Sequence, residues 1–423
     1  MVLKVELVSK EMMIKPSSPT PPHLKTLKLS FLDQTSPPVF IPLIFFFHHA
    51  PVDDHDRSSQ LLKQSLSKVL TLFYPLAGRI KGNDFIECSD DGALWVEARV
   101  HGFLKDVIEN PLMEELEKFL PVEPYNGDGS ELIVGVQINY FVDGGIAVGV
   151  CMSHKIADGL SLVNFVNAWG VTAREGDAAG ISPPNFGLAT SLFPPTTMDL
   201  PGSRISPTLG MTREKIVTRR VVFDKENLAA LKKSAAAESS GVGDPTRVEA
   251  LSAFLWKHFR ESSTKTPQRA AVKKTFSAAH AVNLRARMNP PLPDATFGNL
   301  WSLATTVTPS DEATQDDLIF QLRTSIRQIN AEYAEALQNG KGHSEHLRKW
   351  HEIMFCKGEA EFCKFSSWCR FPIYEVDFGW GRPVWACTAT LPYKNAIIMM
   401  STKRGDGIEA WINMGEDDIW ELA

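Results

Sequence analysis

An apolar hairpin that runs straight into an amphipathic helix constrains this chain more than any other stretch. Leu132–Tyr140 and Ile146–Met152 read as two strands, and Asp143-Gly144-Gly145 between them offers the positive-φ residues of a tight turn. The second strand leads into Ser153-His154-Lys155-Ile156-Ala157-Asp158-Gly159, after which Leu162, Phe165, Val166 and Trp169 recur at helical spacing. A histidine at the mouth of a strand, just ahead of a helix, can be aimed rigidly into a cleft. That makes His154 a candidate general base. Asp158 stands where an N-cap would, its carboxylate able to accept from the N–H of Leu160 or Ser161.

At 423 residues the chain exceeds one ordinary core, so two domains are expected. Apolar content of 43% and charged content of 22% describe a globular protein, and a net charge of −6 without a Lys/Arg run argues against nucleic acid as a partner. The longest apolar run, Val39–Phe47, contains Pro42 and falls far short of the roughly 20 residues that span a bilayer. It reads as a buried strand. The first fifteen residues carry no signal-peptide pattern, and the six cysteines form neither C-x-x-C pairs nor metal-ligand spacings. The expectation is a cytoplasmic protein with reduced thiols, no metal and no membrane segment.

Along the chain, Ser59–Phe73, Lys225–Ala237 and Thr246–Arg260 read as helices, and Asp311–Leu337 as one long helix. Asp53–Arg57 reads as a solvated loop, Phe371–Val376 as a strand, and His343-Ser344-Glu345-His346 with His351-Glu352 as a solvated helical face. From about Ala178 to Thr212 prolines interrupt regular structure, marking a crossover. Helices alternate with strands on both sides of it, which argues for an α/β class with two domains.

Three motifs carry chemical interest. His-x-x-x-Asp occurs at His154–Asp158 and again at His49–Asp53, where Pro51 breaks regular structure and removes the catalytic reading. Asp377-Phe378-Gly379-Trp380-Gly381 shares three residues with a kinase magnesium loop, but the chain lacks the phosphate-binding and catalytic loops that would go with it. It reads instead as a tight turn in which Asp377 pairs with a cation. Asn283-Leu284-Arg285-Ala286-Arg287, followed by Thr296-Phe297-Gly298-Asn299, puts an arginine at the end of an apolar strand, where it needs a carboxylate; Asp158 and Asp377 are both available. Gly-x-Ser-x-Gly is absent, leaving no support for a serine hydrolase of the nucleophile-elbow type.

Taken together, Leu32-Asp33-Gln34, Phe73 to Arg79, Ser153 to Asp158, Pro184-Asn185-Phe186, Asn283-Leu284-Arg285 and Asp377 to Gly381 resemble the plant BAHD family of acyl-CoA-dependent acyltransferases, within it the branch that acetylates alkaloid alcohols. The resemblance covers essentially the whole chain. It implies two chloramphenicol-acetyltransferase-like domains, mixed sheets with flanking helices, at 1–193 and 216–423, joined by a crossover at 194–215. The first domain is completed by roughly 365–385. It further implies a channel between the domains that reaches His154 from both faces, with acyl-CoA on one side and an alcohol on the other.

In this resemblance His154 is the general base, Asp377 lies away from the chemistry as support, and Asp158 pairs with Arg285. Trp368, with Ser366 nearby, would stabilise the oxyanion. Arg247, Lys257 and Asn299 would contact acyl-CoA, acetyl-CoA being the expected donor and a co-substrate rather than a bound cofactor. A monomer is expected. Ser153 departs from the second histidine that many members carry at that position. N-acylation of an amine with another acyl-CoA, a catalytically silent ligand-binding paralogue and a peptide-synthetase condensation domain stand as alternatives.

Overall fold

Apolar at every position, Phe40–Phe47 becomes a strand buried along its whole length. It belongs to the larger sheet of a computed structural model that describes residues 3–8, 12–48, 55–124, 131–196, 215–237, 243–264, 275–308, 315–355, 360–416 and 418. The chain folds into two compact units. The first comprises Met1–Met198, Pro293–Leu300 and Phe371–Thr390; the second comprises Asp199–Leu292, Trp301–Arg370 and Leu391–Ala423. Most of the expected crossover, 197–214, lies outside the described residues, as does the second His-x-x-x-Asp segment, 49–53.

In the first unit, Phe40–Phe47 pairs antiparallel with Ile146–Ser153 on one side and with Trp385–Cys387 on the other. The sheet continues through Val134–Phe141 and Ala93–Val100 to short edge strands at Val5–Leu7 and Met12–Ile14. Gly144 supplies the left-handed residue of the hairpin, at φ 80°. Helices His55–Leu72 and Gly159–Glu175 pack together, and Trp169 is fully buried with its indole N–H on Leu62 O and Ser65 Oγ. The segment that returns late in the chain is locked in by Phe46 stacked on Trp385, with ring centroids 5.1 Å apart, and by Phe378 against Trp169 at 4.7 Å.

The second unit is built on a six-stranded mixed sheet in the order Ile216–Phe223, Ile408–Gly415, Ala396–Ser401, Ala360–Ser367, Thr275–Asn283, Trp301–Thr308. Its core gathers Leu251, Leu255, Trp256, Phe259, Leu318, Leu322, Met399 and Ile412. Helix Arg247–Thr264 opens on a capping box: Thr246 Oγ1 accepts from Glu249 N, and Glu249 Oε2 from Thr246 N. Among the described helices none is long and apolar enough to cross a membrane.

Several local expectations are corrected. The single helix expected over Asp311–Leu337 is two, Gln315–Gln328 and Ala331–Gln338, because Asn330 adopts an extended backbone and caps the second by accepting from Tyr333 N. The strand expected over Phe371–Val376 is a 3-10 turn at Ile373–Glu375, opened by Pro372. His55, Asp56 and Arg57 are not loop but the first turn of a helix. His346, expected on a solvated face, is buried beside Ser302 Oγ. The excursion Pro293–Leu300, which joins the first unit between two strands of the second, had no counterpart in the expectation.

Candidate active site

His154 lies in the turn that follows strand Ile146–Ser153, its backbone N–H bonded to Val39 O at 2.8 Å. Its ring is half-buried. Nδ1 lies 3.0 Å from Oδ1 of Asn299. The amide nitrogen of Asn299 donates to Asp33 Oδ1 and to the carbonyl of His154, both at 2.8 Å. Those two partners are acceptors, so the amide orientation is fixed and Oδ1 must face the ring. An amide oxygen only accepts. Nδ1 therefore carries the hydrogen and the basic lone pair sits on Nε2. Burial holds the imidazole below its ordinary value of 6.5, opposed mainly by the charge of Asp158.

Asp33 anchors this arrangement. It is the N3 residue of the short helix Phe31–Thr35, in a capping box with Ser30. Oδ2 accepts from Ser30 N and Oγ, and Oδ1 from Asn299 N and Nδ2. Burial pushes its carboxyl up, opposed by the four donors that converge on the two oxygens.

Asn299 is presented by the Pro293–Leu300 excursion. Phe297 anchors it against Phe186 and Phe73, at 4.9 and 5.9 Å between centroids. Gly298 turns it at φ 130°, where an added Cβ would come 3.0 Å from Ala189 Cβ. Asp158 caps helix Gly159–Glu175, accepting from Ser161 N at 2.9 Å with one oxygen and from Leu300 N at 3.2 Å with the other. Ser161 Oγ exchanges hydrogen bonds with Gly298. The His-x-x-x-Asp spacing thus places His154 at a strand end and, one turn later, the cap that holds the loop of its partner Asn299.

The other expected residues fall in two groups. Asp377 accepts from Gly379 N at 2.8 Å and Gly381 N at 2.9 Å, both glycines lying at positive φ, and has Arg174 at 3.8 Å. It shapes a turn against Gly170, where a Cβ would meet the Asp377 carbonyl oxygen at 2.9 Å. The remainder belong to the second unit. Arg285 is fully buried, its backbone N–H on Asn283 Oδ1. The indole N–H of Trp368 donates to Ser366 Oγ at 3.0 Å. Arg247 donates to the carbonyls of Gly405 and Asp406, and Lys257 is exposed. Asn299, expected to contact acyl-CoA, lies in the first unit, where it is fully buried and bonded to His154 and Asp33.

The part of Asp33 was missed. Ser30-x-x-Asp33 does carry the capping-box signal, but the second carboxylate oxygen serves a loop far along the chain, and no spacing reveals that.

A profile of the Transferase family matches residues 3–422. Stemmadenine O-acetyltransferase of Catharanthus roseus is 42% identical over 100% of this chain and 97% of its own. Vinorine synthase of Rauvolfia serpentina is 41% identical over 99% of this chain and 96% of its own, and its crystal structure superposes with a TM-score of 0.83 over 98% and 96% of the two chains at 40% identity. F. graminearum TRI101, crystallised with coenzyme A and deoxynivalenol, shares the fold at a TM-score of 0.68 and 17% identity, covering 93% of this chain and 96% of that one.

Proposed function

The chain belongs to the Transferase (BAHD) family, and on that premise we propose that it moves an acetyl group from acetyl-CoA to a hydroxyl of an alkaloid or a related plant specialised metabolite. It is an acyltransferase. The observation that carries the mechanism is the Asn299 amide, which fixes the hydrogen on Nδ1 of His154 and leaves Nε2 to act as base.

An alcohol is a weak nucleophile until its proton is removed during attack. As the acceptor oxygen bonds to the thioester carbon, Nε2 takes that proton, an assistance typically worth ~10²–10⁴ in rate. The tetrahedral oxyanion then collapses, the carbon–sulfur bond breaks, and the proton returns from His154 to the CoA thiolate. Ester and free CoA are the products. The Asn299 oxygen stabilises the imidazolium formed in between, and Asp33 keeps Asn299 from turning.

We assign the oxyanion to Ser366 and Trp368. Since the Ser366 oxygen accepts from the indole, its own hydrogen is directed elsewhere and can be given to the oxyanion. To the cationic edge formed by Arg247 and Lys257 we assign the CoA phosphates. Arg247 ties down the loop in which Lys403 and Arg404 are exposed, adding positive charge there. Asp377 serves the fold rather than the reaction.

The test is incubation of the purified protein with acetyl-CoA and stemmadenine, then a panel of alkaloid and terpenoid alcohols, following thiol release and product mass. Release of CoA with an acetyl ester as product is expected. No release with any alcohol, or an amide as product, would overturn the reading.

A further inference from the structure

We infer that Lys155, the residue after the base, is a positioning residue of the site: it locks the helix that carries Asp33 to the turn that carries His154. The inference rests on the acyl-transfer reading for its kinetic consequence, but on contacts alone for its geometry. Lys155 Nζ donates to Gln34 O at 2.9 Å and to Ser36 O at 3.0 Å. These carbonyls close the C-terminal end of helix Phe31–Thr35, where a cation also meets the negative end of the helix dipole. From that helix Asp33 reaches Asn299, and Asn299 reaches His154. The contacts form a ring that leaves the site through Lys155 and returns to it through the neighbouring residue.

The helix has other anchors, Phe31 N on Phe193 O and Thr196 N on Gln34 Oε1, and neither of these reaches the His154 turn. The backbone bond from His154 N to Val39 O fixes the turn to the strand entrance, beyond the helix. Ser30 caps the opposite end. Gln34 is tied to Asn83 by a reciprocal pair of side-chain-to-carbonyl bonds, away from the His154 turn in sequence. Taking an ammonium out of water costs several kcal/mol, and burial pushes Lys155 down to about 8, with Asp33 as the opposing charge. A lysine placed there solely to fill space would be replaced at less cost by an apolar chain. Its two carbonyl partners and the nearby carboxylate account for the charge.

The test compares Lys155→Met with Lys155→Arg. The first keeps the length and volume of the side chain and removes its charge and donors; the second restores both. The primary readout is the titration of the His154 imidazole by NMR on histidine-labelled protein, with His154→Ala assigning the signal. Around these groups the facing charges are Asp33 for Lys155 and Asp158 for His154. In Lys155→Met the ring is expected to titrate at higher pH than in the wild type, because the turn loosens and the ring gains access to water. In Lys155→Arg the curve should overlay the wild type.

The second readout is turnover of acetyl-CoA with stemmadenine. Loss of a hydrogen bond from a charged donor predicts a kcat about tenfold lower in Lys155→Met. KM for both substrates should stay within about twofold, with kcat recovered in Lys155→Arg. An unmoved His154 titration in Lys155→Met, or a folded Lys155→Arg protein whose titration departs from the wild type, would overturn the inference. So would a rise in KM at unchanged kcat, which would put Lys155 on a substrate path instead. Absence of CoA release from the wild type with every alcohol would sink the acyl-transfer reading. The titration, which needs neither substrate, would still decide the role of Lys155.

Discussion

Asn299 Oδ1 sits 3.0 Å from Nδ1 of His154, across 145 residues of chain. The contact makes an amide do what a carboxylate does beside many catalytic histidines. An amide fixes the tautomer without adding a negative charge to raise the base's affinity for protons, so the ring stays neutral and ready to accept.

Removing that amide should therefore cost turnover more than binding. For Asn299→Ala the expected kcat is roughly ten- to a hundredfold lower, the worth of one hydrogen bond to a group that becomes charged in the reaction. Steady-state kinetics with acetyl-CoA and a productive alcohol check this. Unchanged kcat with a weaker acyl-CoA KM would contradict this and support the donor-binding role expected for Asn299.

The pH profile has a definite sign. Burial lowers the His154 value from 6.5. The base is lost as pH falls through its pKa, so kcat/KM should be flat at neutral pH and decline only below 6.5. An acidic limb centred at or above pH 7 would contradict an imidazole whose pKa is lowered by burial.

Asp377 is expected to act through stability. Its carboxylate holds two glycine N–H groups whose loss costs about 1–3 kcal/mol. Asp377→Ala should melt at lower temperature, while the folded fraction keeps its KM and its pH profile. Differential scanning fluorimetry beside kinetics separates the cases. A variant as stable as wild type but inactive would place Asp377 in the chemistry.

Two buried histidines of the second unit set an acid limit on stability. Burial pushes His280, stacked on Phe365, down to about 4, and His346, beside Ser302, down to about 3. Below pH 6.5 the unfolded chain binds protons at these positions before the folded one does. Their contribution is complete above 6.5 and shrinks as pH falls toward the folded values. The gap for His280 corresponds to roughly 3 kcal/mol. Urea unfolding at pH 7.5 and 5.0 should show the lower stability at 5.0; equal midpoints and slopes would refute it.

Local signals were legible where one period ruled a segment. The buried run Phe40–Phe47, the Gly144 hairpin and the Leu162–Trp169 face all follow from spacing and turn chemistry. Asp158 as an N-cap was legible for the same reason. The break at Asn330 was not, because the apolar period continues across it and one capping residue decides the matter. Least legible was the His154–Asn299–Asp33 line. Its members come from three distant segments, and Asn299 reaches the base on an eight-residue excursion, Pro293–Leu300, that carries no composition signal of its own. Asn299 was singled out as a donor contact; its bond to His154 was not foreseen, since nothing local distinguishes an amide that meets a ligand from one that meets a histidine.

The most direct test replaces His154 by Gln, which keeps side-chain bulk and removes the basic nitrogen, and follows CoA release from acetyl-CoA with an alcohol that the wild type acetylates. A folded variant slowed at least about 10²-fold in kcat, the usual contribution of a general base, is the predicted result. A folded variant turning over near the wild-type rate would contradict the account.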